Sequence, residues 1–140
     1  MSRLFCILAP LFLLASPALS QTSNAARWLV QEREADACDQ SVGKMAQAGI
    51  IERDLTGDGR EDLLLSDEHL RCGPRNLRPG TCGMQVCRFT IFVRQGDLLV
   101  ESYQGLGGGV AADRGTPPVI SFYNHGGSRG SVRWNGAAFR

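Results

Sequence analysis

Two apolar runs, Ile50-Ile51 and Leu63-Leu64-Leu65, flank the segment Asp54-Leu-Thr-Gly-Asp58-Gly-Arg-Glu-Asp62. Its alternating Asp and Gly residues favour a tight turn: glycine accepts left-handed backbone and the Asp carboxylate accepts hydrogen bonds from amides just ahead of it. The flanking runs are therefore expected to be short buried strands entering and leaving a polar loop. This one feature commits the middle of the chain to β-structure.

The loop also has a chemical pattern. Oxygen donors recur at alternate positions, with Asp54, Thr56 and Asp58 followed by the Arg60 carbonyl and Asp62. A hard cation such as Ca²⁺ takes about six to eight oxygens, and positions 1, 3, 5, 7 and 9 of a short loop can supply them. The spacing resembles the Asp-x-Asp-x-Asp-Gly-x-x-Asp element of FG-GAP and VCBS-type repeats, which implies a bound calcium ion held by Asp54, Thr56, Asp58, Arg60 and Asp62. Thr56 stands where that element carries Asp or Asn. An EF-hand is not expected, because its bidentate Glu position falls on Leu65. The competing reading is a polar turn with no ion.

Met1-Ser-Arg3, the apolar Leu4 to Leu14 and the small-residue stretch ending at Ser20 form a signal peptide pattern, with cleavage expected before Gln21. Residues 21–140 then form a single exported domain, periplasmic or secreted, and no later run is long enough to cross a membrane. Losing Arg3 from 15 basic side chains leaves 14 against 14 acidic ones, so the balance gives no footprint for nucleic acid. The local cluster Arg71, Arg75, Arg78 and Arg88 is expected to be a solvated loop.

Four cysteines remain after cleavage, Cys38, Cys72, Cys82 and Cys87. An even count in an exported chain points to two disulfides, and the spacing lacks the paired Cys-x2-Cys knuckles of common zinc folds. Three connectivities are open. The preferred one closes the small ring Cys82–Cys87 and ties the N-terminal helix to the chain beyond the loop through Cys38–Cys72.

A helix is expected from about Ala25 to Ala37, capped by Asn24, with a second helical turn over Gln40 to Gln47. Strands follow at Ile50–Asp54, Asp62–Ser66, Arg88–Arg94, Leu98–Tyr103 and Val119–Tyr123. Ser131–Trp134 and Ala137–Phe139 read as a hairpin about a two-residue type I′ turn, Asn135-Gly136. The fold class is α+β: an N-terminal helix or two packed on a mostly antiparallel, disulfide-stapled sheet. Trp28, Phe89, Ile91, Phe92, Phe122, Trp134 and Phe139 are expected to share one core. Gly105-Leu-Gly-Gly-Gly109 is expected to be a mobile surface loop.

No catalytic group is expected. His125-Gly126-Gly127 lacks a nucleophile elbow and reads as a turn between strands, and Asp67-Glu68 beside His69 reads as a solvated loop end. Several segments together, Asp54–Asp62, Cys72-Gly73 with Cys82–Cys87, and Trp134–Phe139, resemble a loose group of small exported bacterial proteins. That resemblance implies the calcium-type loop and the cysteine ring but brings no activity. The expected function is a non-enzymatic binding or structural module with a calcium-stabilised loop, partnered by an unknown protein or envelope component. The alternative is an inhibitor or sensor of an envelope enzyme, and an unrecognised hydrolase stands behind both.

Overall fold

The computed structural model describes residues 22–140. The expected signal peptide, residues 1–20, lies outside the described residues. Helix α1 spans Asn24–Ala37, and its cap is Ser23, one residue before the expected Asn24, with Ser23 Oγ accepting from the Ala26 N–H at 3.2 Å. The helix stops because Asp39 and Gln40 adopt positive φ, which ends the right-handed run. The second helical turn does not form. Strand β1 (Gly43–Met45) occupies that stretch and pairs with β4 (Leu70–Cys72), while a 3₁₀ turn covers Gln47–Gly49.

The main sheet is antiparallel throughout. It contains β2 (Ile50–Arg53), β3 (Asp62–Ser66), β5 (Cys87–Gln95), β6 (Leu98–Ala112), β7 (Val119–Tyr123) and β8 (Arg129–Arg133), in the order β2-β3-β5-β6-β7-β8. The protein is thus mostly antiparallel sheet with one helix, more sheet-rich than a helix-on-sheet description. The disulfides are Cys38–Cys72 and Cys82–Cys87. No helix among the described residues is long and apolar enough to cross a membrane.

The core is divided, not shared. Because strand side chains alternate between faces, Phe92 joins Ala26, Leu63, Leu65 and Leu70 under α1, while Phe89, Ile91 and Val93 join Leu64, Val110, Ile120, Val132 and Phe139 on the opposite face. Trp28 belongs to neither core and is 58% exposed. The stripe that α1 turns inward is Ala26, Val30, Arg33 and Ala37, at helical spacing, and Trp28 lies outside it.

The second face has no helix to cover it, and the sheet covers it by curling. The bend is built by the glycines expected to form a loop: Gly105–Gly109 lie within β6, whose first part pairs with β5 and whose last residues pair with β7. A Cβ on Gly105 would stand 2.8 Å from the Phe89 ring, and one on Gly107 would stand 2.9 Å from Phe122. Their absence lets Phe89 and Phe122 meet across the intervening strand at 5.0 Å between ring centroids. Curling brings edge strand β2 to the β6–β7 connection, where Arg53 donates to the carbonyls of Asp113 (2.7 Å) and Gly115 (3.2 Å).

The C-terminal turn is longer than expected. Trp134 bridges Phe139, so residues 135–138 form the connection, and the Asn135 side chain accepts from the N–H groups of Ala137 (3.0 Å) and Ala138 (2.9 Å). That Asx geometry competes with the two-residue turn and wins.

Candidate functional site

The loop joining β2 to β3 is closed by its own carboxylates. Asp54 Oδ1 accepts from the N–H groups of Thr56 (3.1 Å) and Gly57 (2.6 Å), and Oδ2 from Gly59 (2.9 Å). Asp62, fully buried, accepts from Leu55 (2.9 Å) and Thr56 (3.0 Å) through Oδ2, and from Arg94 of β5 (2.8 Å) through Oδ1. Gly57 and Gly59 both hold positive φ, the conformation that lets these amides turn inward.

Asp58 takes a different course. Its Oδ2 faces outward to Arg60 Nη2 at 2.8 Å, and its Oδ1 accepts the Arg60 N–H at 2.9 Å. The Arg60 side-chain hydrogen bond, then the backbone one, hold the Asp58 carboxyl below its ordinary value. Of the five expected ligands, Asp54 and Asp62 are engaged by the loop's own amides, while Asp58 is engaged by Arg60 with the Thr56 side chain beside it. Among the described residues no three His, Cys, Asp or Glu side chains gather closely enough to hold a metal ion. Thr56 Oγ1 is buried without a hydrogen-bond partner of normal geometry.

A second constellation was not legible as a site. Asp67, expected at a solvated loop end, is fully buried in a 3₁₀ turn, Asp67–His69, between β3 and β4. It accepts from Arg33 Nη1 (3.1 Å), Arg88 Nε (3.2 Å) and Thr81 Oγ1 (2.6 Å), and Arg33 Nη2 continues to Thr90 Oγ1 (2.8 Å). Burial lowers the pKa of Arg33, opposed by the charge of Asp67. The network joins α1, β5 and the base of the disulfide ring. Arg88, expected among solvated arginines, is thereby drawn inward and reaches Asp36 at 3.0 Å, while Arg71 and Arg78 donate to backbone carbonyls. Arg33 does leave a trace in the sequence, a charged residue at an apolar position of the helical stripe.

Beside this network, a groove of about 550 Å³ separates one face of α1 from β5 and β6. Leu29 and Phe92 supply its apolar lining, Glu32, Asp36 and Glu101 its carboxylates.

The Cys82–Cys87 ring is held rigidly. Gly83 N–H donates to Val86 O (2.8 Å), Arg78 Nη1 to Met84 O (3.0 Å), and Gly126 N–H to Gln85 Oε1 (2.8 Å). Val86 is buried, yet Met84 projects outward with 89% of its surface exposed. His125 lies in the exposed turn between β7 and β8, as expected, and His69 lies in the 3₁₀ turn after Asp67. No family model, curated protein or solved structure matches the chain.

Proposed function

We propose that this chain is a non-enzymatic, exported recognition module that engages a partner protein through the Cys82–Cys87 ring. The observation that carries this reading is Met84, a large apolar side chain held in solvent at the tip of a covalently closed, hydrogen-bonded ring. Burying such a side chain contributes about 1.5–3 kcal/mol to association. Closing the ring beforehand lowers the backbone ordering cost that a flexible loop meets on binding. Two disulfides in a chain that begins with a signal-like segment support export to the periplasm or beyond. The arrangement suits an inhibitor or sensor that inserts one residue into an apolar pocket.

Immobilised protein in an envelope extract provides the test, with Met84→Asp as its pair. A partner held by the natural chain and lost with Met84→Asp supports the reading. Equal retention of every captured protein by the two overturns it.

The 54–62 loop then serves the scaffold, and a calcium-loaded form of it is the second reading, favoured by the orphaned Thr56 Oγ1. Such a site, with three carboxylates, is expected to bind at about 10⁻⁴–10⁻³ M. Ten millimolar calcium over a 10⁻⁴ M site adds about 2.7 kcal/mol of stability, and Asp58→Ala removes most of that gain. Equal melting temperatures in EDTA and in calcium leave the loop as a turn closed by its own amides.

A further inference from the structure

Residues 98–107 of β6 pair with β5 on one side only; on the other side β7 reaches no further than Gly108. None of the backbone groups along this outer edge from Leu98 to Leu106 pairs with another segment of the described chain. The edge carries one charged residue, Glu101, and one bulge, where Ser102 has no partner on β5, and neither Lys nor Pro. Natural sheets protect long open edges with such residues or cover them. A groove lies between α1 and the sheet beside this edge. Leu29, Glu32, Arg33 and Asp36 on one face of α1, with Gln40 just beyond its end, border the groove whose other wall includes Arg88 and Phe92 of β5 and Glu101 and Gln104 of β6.

The chemistry changes along that seam. At the start of β6, Leu98 (67% exposed) and Leu99 meet Ala25, Trp28 and Leu29 in a small apolar hollow of about 250 Å³. One turn further along the helix Glu32 faces the groove opposite Glu101 of β6, and neither carboxylate makes an ion pair among the described residues. Asp36, beyond them, is already paired with Arg88.

We infer that this seam is a strand-addition site for an extended segment of a partner protein. The segment extends the sheet at β6, places an apolar side chain against Trp28 and Leu98, and places a basic side chain between Glu32 and Glu101. The open edge supplies main-chain hydrogen bonds, and the two ends of the groove supply selectivity for alternate side chains. A second copy of this chain fits poorly, because pairing β6 with itself sets the same unpaired carboxylates on both sides of the new junction.

Trp28 reports on the site directly in a Trp134→Phe background, where it is the sole tryptophan. The probe is a nine-residue peptide of alternating Val and Thr with a central Lys. Its addition is expected to shift Trp28 emission to the blue with saturation and to slow amide exchange within residues 98–106. A peptide with Glu in place of Lys, or one N-methylated at alternate residues, is expected to bind at least tenfold more weakly. Glu32→Gln with Glu101→Gln is expected to weaken the Lys peptide severalfold while leaving the melting temperature and the Glu-peptide affinity unlowered. Met84→Ala should leave all of this unchanged, which separates the site from the disulfide ring. Absence of any shift or protection up to about 1 mM peptide overturns the proposal. So does equal binding of the Lys and Glu peptides, or protection of the edge that grows with protein concentration alone, since that assigns the edge to self-pairing.

Discussion

Replacing Asp67 by Leu tests whether the buried network holds the domain together. The change removes the acceptor of Arg33, Arg88 and Thr81 at once, but the three losses are unequal. Arg88 keeps Asp36 and remains partly exposed, so its loss is screened and small. Arg33 is 8% exposed and keeps one hydrogen bond, to Thr90, with the more distant charge of Asp36, which leaves its own charge buried and largely uncompensated. Removing one partner of a buried pair costs about 3–5 kcal/mol, and the stranded Thr81 hydroxyl adds about 1 kcal/mol. Domains of this kind have about 5–15 kcal/mol in total, so Asp67→Leu is expected to consume a large share and lower the melting temperature by more than about 10 °C.

The double variant Arg33→Met with Asp67→Leu separates charge from packing. An apolar pair in place of the ions removes the uncompensated charge, so the double variant is expected to return to within about 2 kcal/mol of the natural protein. Urea unfolding followed by tryptophan emission and far-ultraviolet dichroism measures both. Because Thr81 anchors the base of the disulfide ring through Asp67, faster amide exchange at residues 83–87 is expected in the single variant. A cost below about 1 kcal/mol for Asp67→Leu, or a double variant whose loss equals the sum of the singles, refutes the argument.

Asp62→Asn is expected to cost about 2–4 kcal/mol in urea titrations, since an amide cannot accept from the three N–H groups that converge on its buried carboxylate without turning a donor toward a donor. Intact mass should fall by four hydrogens relative to the reduced protein. Loop entropy places the stabilisation by Cys38–Cys72, with a sequence separation of 34, about 1–2 kcal/mol above that by Cys82–Cys87, with a separation of 5, so paired Ser substitutions should rank in that order by melting temperature. Gly105→Ala drives a Cβ against the buried Phe89 ring and is expected to cost about 1–3 kcal/mol, whereas Gly80→Ala meets nothing and should be neutral. The N–H of Gly115, then that of Val119, hold the Asp113 carboxyl below its ordinary value, so this contribution is present above the ordinary carboxylate pKa of about 4 and is lost as pH falls through the lower folded value. Asp113→Asn should make the acid limb of the stability curve shallower below that point.

Local signals settled part of the sheet. The alternation in Arg88–Arg94 and the glycine-flanked Asp54–Asp62 turn are written within a few residues of where they act, and so β3, β5 and the loop between β2 and β3 were readable. The disulfide pairs were readable only as a preference among three, because the ring is local and the remaining pair follows from it. Position in the fold decided the rest. Asp58 and Asp62 are the same residue type four positions apart, yet one pairs with solvent-facing Arg60 and the other is sealed beneath β5 by the Arg94 amide, a partner 32 positions away. Likewise Asp67 follows a strand end, where an acidic residue is ordinarily solvated, and it became buried because α1 and the disulfide ring bring Arg33 and Thr81 to it from distant parts of the chain. The glycines of β6 give the opposite lesson. Their flexibility in isolation suggested a mobile loop, but aromatic rings of β5 and β7 occupy the space their missing side chains leave, and that packing, which exists only once the sheet has curled, makes them strand. The sequence by itself determined the turn between β2 and β3 and the alternation of β5, since both depend on neighbours; which charges are buried, how the core divides and which sheet edge stays open depend on segments far apart meeting, and only the tertiary structure decided them.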